Sequence, residues 1–194
     1  MSDGLATFVD RHTLRYDRRY PHPVELVFEV VSTAEHLDVW MLPISRVERR
    51  VGGRCSFTWG VMDEGSEDVG TVTEFDPPRR ITYGFEADAS YMRFDLEPDG
   101  DSTLLHFTLH WPMAPGQTAE PAPYPGGDLP AGLDTNWRPG AVGGFHEFLD
   151  DLAPYLDGRF TAADRAAHLE DVESDRHVHL TEVYREHIRD HCPR

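Results

Sequence analysis

Between Arg54 and Trp111 the chain alternates apolar and polar residues almost without pause, which restricts it to an antiparallel sheet. Arg54–Gly60 places Cys55, Phe57 and Trp59 on one parity, and Val69–Phe75 continues the pattern. Arg80–Glu86 does the same with Ile81, Tyr83 and Phe85, and Tyr91–Glu97 with Met92, Phe94 and Leu96. In Thr103–Trp111, Leu105, Phe107, Leu109 and Trp111 turn inward, leaving His106, Thr108 and His110 outward. Successive side chains of a strand point to opposite faces, so each segment reads as half-buried. The joins are short turn signals: Gly52-Gly53, Asp76-Pro77-Pro78 and Pro98-Asp99-Gly100-Asp101. Parallel strands would need crossovers of a dozen or more residues, so the segments form a meander.

Two further strands precede the run. Arg11–Tyr20 puts Leu14, Tyr16 and Tyr20 on one parity, and Ile44–Val51 leads into the Gly52-Gly53 turn. The expected total is seven strands. Pro21-His22-Pro23 stops the first strand, since proline has no ladder donor. Val24, Val27, Phe28 and Val31 then recur at helical spacing, and Ser32-Thr33-Ala34-Glu35 opens a second short helix ending near Trp40. Residues Pro112–Asn136 are rich in Pro, Gly and Ala and have no period, as a loop or lid would. A long helix opens near Pro139, with Val142, Phe145, Leu149, Leu152 and Leu156 on one stripe and Gly158 as its stop.

The reading divides the chain into a tail (1–10), one domain (11–158) with its loop at 112–136, and a polar helical extension (159–194). Only a thin stripe of Leu169, Val172, Leu180, Val183, Tyr184 and Ile188 lets the extension pack. It is expected on the outside of the domain, or against a second subunit in a homodimer.

Strand, two short helices, meander, loop and one long helix is the helix-grip order of an α+β domain: a curved seven-strand antiparallel sheet around a long C-terminal helix. The residues 20–28, Tyr-Pro-His-Pro-Val-Glu-Leu-Val-Phe, carry a resemblance that continues through His36-Leu37-Asp38-Val39-Trp40 and Val51-Gly52-Gly53-Arg54-Cys55-Ser56-Phe57. Gly70–Ile81 and Ser102–Phe107 extend it. On these segments the chain resembles the SRPBCC, or START-like, superfamily, in particular the bacterial relatives of the activator of the heat-shock-protein ATPase. The resemblance implies a site between sheet and long helix. Similar proteins hold lipids, hormones or polyketides there, some cyclise polyketides, and the eukaryotic co-chaperone stimulates an ATPase. The resemblance does not cover the loop before the long helix or the C-terminal extension.

Charge narrows the partners. Lys and Arg number 18 against 35 Asp and Glu, a net −17, so phosphate backbones and anionic lipid are repelled and nucleic acid is not an expected partner. No apolar stretch approaches the about 20 residues of a membrane span, and the N-terminus lacks the basic start of a signal peptide. Cys55 and Cys192 lie far apart and form no disulfide framework, so a reducing cytoplasm is expected. His187 and His191 stand one helical turn apart, as a metal pair could, but the rest of a site is missing, since His177 and His179 point apart on a helix; no metal and no cofactor are expected.

The candidate ligand site follows from the inward parities: Trp59, Tyr83, Met92, Phe94, Phe107 and Trp111 from the sheet, with Phe145, His146 and Leu149 from the helix facing them. These residues either form a solid core or line a pocket for a small apolar or aromatic molecule, those nearest the loop facing any cavity. His146 and Tyr83 are the expected polar anchors, and neither shows a carboxylate partner at an evident spacing. Catalytic residues are therefore not assignable. A cyclase- or hydratase-like enzyme using the same His or Tyr, and a co-chaperone-type protein-binding module, are the alternative functions.

Overall fold

The fold is seen in a computed structural model that describes residues 4–42, 45–59, 66–112, 135, 137–170 and 174–193. The loop expected at 112–136 lies almost wholly outside these residues. Eight strands form one antiparallel sheet: β1 (Thr7–Phe8), β2 (Thr13–Tyr20), β3 (Arg46–Val47), β4 (Arg54–Trp59), β5 (Ser66–Asp76), β6 (Arg80–Phe85), β7 (Tyr91–Asp99) and β8 (Ser102–His110). Their spatial order is β1-β2-β8-β7-β6-β5-β4-β3. The meander runs from β3 to β8, and β2 then closes on β8 through eight paired positions, from Thr13↔His110 to Tyr20↔Thr103.

The eighth strand corrects the expected seven. Thr7 and Phe8 pair with Arg15 and Leu14, inside what reads as a tail, because two residues are too few to show a period. The Asp10 carboxylate accepts the His12 N–H at 2.7 Å and makes the turn between them. In the β7–β8 hairpin, Asp99 pairs with Ser102 across two residues, and Gly100 takes the left-handed φ of +63° that this tight connection requires.

Helices α1 (Val24–Ser32), α2 (Ala34–Trp40) and α3 (Pro139–Leu156) cover the apolar face of the sheet. Tyrosines on that face tie sheet to helix. Tyr16 donates to Val142 O of α3 at 2.7 Å, Tyr20 to Leu149 O at 2.9 Å, and Tyr83 to Val31 O of α1 at 2.9 Å. Val31 lies in the last turn of α1, where carbonyls have no intrahelical donor, so Tyr83 satisfies an orphan acceptor. Trp40 of α2 sets its ring edge to Phe94, and Phe107 meets Phe145 of α3.

The extension forms α4 (Ala162–Glu170) and α5 (Asp175–His191). The Ser174 side chain caps α5 by accepting the His177 N–H. α5 lies along the outer side of α3, and its Tyr184 and Ile188 are fully buried within the main apolar cluster. The extension thus packs on the domain through its apolar stripe, and more deeply than its polarity suggests. Among the described residues no helix is long and apolar enough to cross a membrane.

Candidate functional site

Three places carry chemistry: the concave face beneath α3, a hydroxyl–imidazole–carboxylate chain between α3 and α5, and a buried ion-pair cluster at the far end of α3.

On the concave face, the middle of the sheet is closed. Tyr83, Phe94, Leu105, Leu149 and Leu152 have essentially no accessible surface, so no water-sized space adjoins them. Phe94 and Phe107 stack with centroids 4.5 Å apart, and Tyr83 sets an edge against Phe94 at 6.2 Å. Toward the end where β8 finishes, packing loosens. Exposure rises from 0% at Leu105 to 2% at Phe107, 5% at Leu109 and 36% at Trp111. Met92, Phe85 and Phe145 share that end and retain small accessible areas, whereas Phe94, Tyr83 and Leu149 do not.

The structure therefore divides the expected site residues. Met92, Phe107 and Phe145 lie at or near the looser end, and Tyr83, Phe94 and Leu149 belong to the closed middle. Trp111, expected on the inward parity, is partly exposed just beyond β8, with its ring T-shaped against Trp137 at 6.2 Å. The Trp59 side chain lies outside the described residues. The Tyr83 hydroxyl donates to Val31 O, and burial pushes its pKa well above the ordinary value. Two grooves, of about 340 and 580 Å³, lie along the β5–β6 strands and the β3–β4 edge, and no α3 residue lines either.

His146 lies on α3 with a carboxylate beside it that the sequence reading does not supply. It sits where α3 meets β2 and α5. Its Nε2 lies 3.4 Å from Asp150 Oδ2, one helical turn on, and its Nδ1 lies 2.8 Å from the Tyr184 hydroxyl. The i, i+4 spacing of His146 and Asp150 is legible in the sequence; Tyr184, 38 residues away, has no such signal. Tyr184 also accepts the Ala6 N–H at 3.1 Å. Arg18 and Arg176 each approach Asp150 at 3.5 Å. Burial works to raise the Asp150 pKa, but the His146 hydrogen bond and these cations bring it below the ordinary carboxylate value. Burial also pushes Tyr184 up to about 12.

The chain Asp150–His146–Tyr184 has the connectivity of a proton relay, yet it ends on a hydroxyl with no exposed surface. No substrate reaches it in this arrangement. Its evident effect is to lock the N-terminal segment and α5 onto α3, reinforced by His187 Nε2 at 2.6 Å from Ala6 O.

Asp151 carries the third cluster. Its carboxylate accepts from Arg165 at 2.9 Å, from Arg176 at 2.9 Å, and lies 3.2 Å from His168. Arg165 also donates to the carbonyls of Val39 and Trp40 at the end of α2 and stacks on the rings of Phe148 and Phe160. Asp151 and Arg165 are both buried, so this pair couples α2, α3 and α4. Every acceptor and cation in it is occupied by a partner within the fold. Among the described residues no group of His, Cys, Asp or Glu is arranged to hold a metal ion.

A curved antiparallel sheet with α3 along its concave face and two short helices after β2 defines a helix-grip, START-like domain. The family described as "Activator of Hsp90 ATPase homolog 1-like protein" matches residues 21–157, and the chain belongs to it. Solved structures share the fold. CalU16 from Micromonospora echinospora is 16% identical, with a TM-score of 0.59 over 92% of this chain and 86% of that one. EF2215 from Enterococcus faecalis, a conserved protein of unknown function, is 16% identical, with a TM-score of 0.62 over 97% and 91%. The Aha1 dimer from Colwellia psychrerythraea is 14% identical, with a TM-score of 0.54 over 76% of this chain and 97% of that one. No curated protein sequence matches the chain.

Proposed function

We propose that this protein binds a small apolar or aromatic molecule at the loose end of the concave face, between the β6–β8 end of the sheet and the first turns of α3. The observation that carries the reading is the rise in exposure of inward apolar side chains along β8, from Leu105 to Trp111. Phe85, Met92, Leu109 and Phe145 frame the apolar surface available at that end. Affinity would come from buried area, at about 25 cal/mol for each Å² removed from water. The free thiols Cys55 and Cys192 suit a reducing compartment such as the cytoplasm.

Native mass spectrometry of freshly purified protein tests the reading. A discrete added mass, lost on denaturation, supports it. A bare chain that also gains no thermal stability from any member of an apolar compound library counts against it.

The enzyme alternative is weaker, since His146 and Tyr83 both serve hydrogen bonds that hold the fold. The co-chaperone alternative is favoured by the family description and by the Aha1 neighbour. Stimulation of an Hsp90 ATPase by this chain would support it. Tyr184 and Ile188 are buried against α3, so a homodimer through the extension would use its more exposed residues, such as Val178.

A further inference from the structure

We infer that the indole N–H of Trp137 is the hydrogen-bond anchor of the ligand site, which selects aromatic molecules bearing a neutral carbonyl oxygen. This rests on the binding reading above and adds what the site recognises. Trp137 lies two residues before α3 and is 2% exposed, and its Nε1 is buried without an acceptor. Among the described residues two other buried side-chain atoms lack a partner, His12 Nδ1 and Thr181 Oγ1. Those two can adapt: an imidazole changes tautomer, and a hydroxyl turns its proton or accepts one. Indole nitrogen only donates, so its deficiency is removed only when an acceptor arrives. A buried donor left unsatisfied is costly enough that such a group calls for an explanation.

Its position supplies one. The Trp137 ring stands edge-to-face with Trp111, the most exposed residue on the concave parity of β8 and its continuation. The indole is therefore at the end of the sheet where the binding reading places a ligand, over Leu109 and Phe145. It is also held in place. The Trp137 backbone N–H donates to Thr135 Oγ1 at 3.3 Å, Thr135 donates to Arg11 O at 2.9 Å, and Pro139 begins the helix. A donor fixed before binding loses little freedom when it engages. The aromatic walls favour a flat ring, and the net charge of −17 disfavours an anionic acceptor. A neutral carbonyl on an aromatic body fits both conditions.

The test uses two probes of similar shape, 2-acetylnaphthalene and 2-ethylnaphthalene, titrated into the full-length protein and into Trp137→Phe. The parent should bind the ketone about 5–10-fold more tightly, the gain of one neutral hydrogen bond. In Trp137→Phe the two probes should bind alike. In the parent, the Trp137 indole proton resonance should move downfield with the ketone and not with the hydrocarbon. That shift decides the matter by itself should the variant fail to fold. Equal affinities in the parent, or a preference that survives in Trp137→Phe, would overturn the anchor while leaving the pocket intact. An N–H spent on the face of Trp111 would give that result. If neither probe binds, the binding reading itself falls, and the anchor with it.

Discussion

Tyr16, Tyr20, Tyr83 and Tyr184 each bury a hydroxyl that is hydrogen-bonded across elements, and this decides how the protein responds to base. Burial raises all four pKa values, Tyr184 to about 12, and it raises the Cys55 thiol from 9.0 to about 12 as well. Below about pH 8 the native and unfolded chains both keep these protons, and their contribution to stability is complete. Above it the unfolded chain releases protons that the native chain retains, so stability falls as pH rises to about 12 and beyond. Each group contributes a slope of about 1.4 kcal/mol per pH unit in that window. Urea unfolding at a series of alkaline pH values should show this decline, and Cys55→Ala should remove its earliest part. At Leu149 the prediction concerns packing. No accessible space adjoins this side chain, so Leu149→Trp should cost about 1–3 kcal/mol in thermal or urea unfolding. A variant as stable as the parent would reveal a gap in the middle of the core.

At the scale of elements, α5 behaves as part of the domain. Its Tyr184 completes the polar chain on α3, and its Ile188 joins the main apolar cluster. A chain ending at Gly158 should therefore lose cooperative melting by calorimetry, and a sharp transition within a few degrees of the parent would contradict that. The sequence makes some of this architecture plain and hides the rest, for physical reasons. β4 and β6 to β8 are legible because each has one dry face, which forces alternation in its side chains. β1 is hidden, since two residues have no period. The depth of α5 is hidden too, because a polar helix with a thin stripe looks the same whether it packs on its own domain or on another molecule. At the site, His146 and Asp150 could have been paired from their i, i+4 spacing on a helix. Trp137 gives no local signal, because it sits at the end of a Pro- and Gly-rich segment that lacks any pattern. The Asp151–Arg165 pair is likewise invisible before α3 and α4 meet.

The two ends of the molecule differ in chemistry. At one, α2, α3 and α4 are coupled by Asp151 and Arg165, and the middle of the sheet is sealed by aromatic stacking. At the other, inward side chains keep accessible surface beside an indole donor with no acceptor. The family and the fold are shared with proteins of different function, so function must be read from this asymmetry and not from the fold. The most direct measurement is a backbone and side-chain NMR titration with 2-acetylnaphthalene. The account predicts shifts concentrated at Met92, Leu109, Trp111, Trp137 and Phe145, with Tyr83, Phe94 and Leu149 nearly still. Absence of shifts at saturating probe, or shifts centred on the outer groove at Thr71, Thr73 and Thr82, would contradict it.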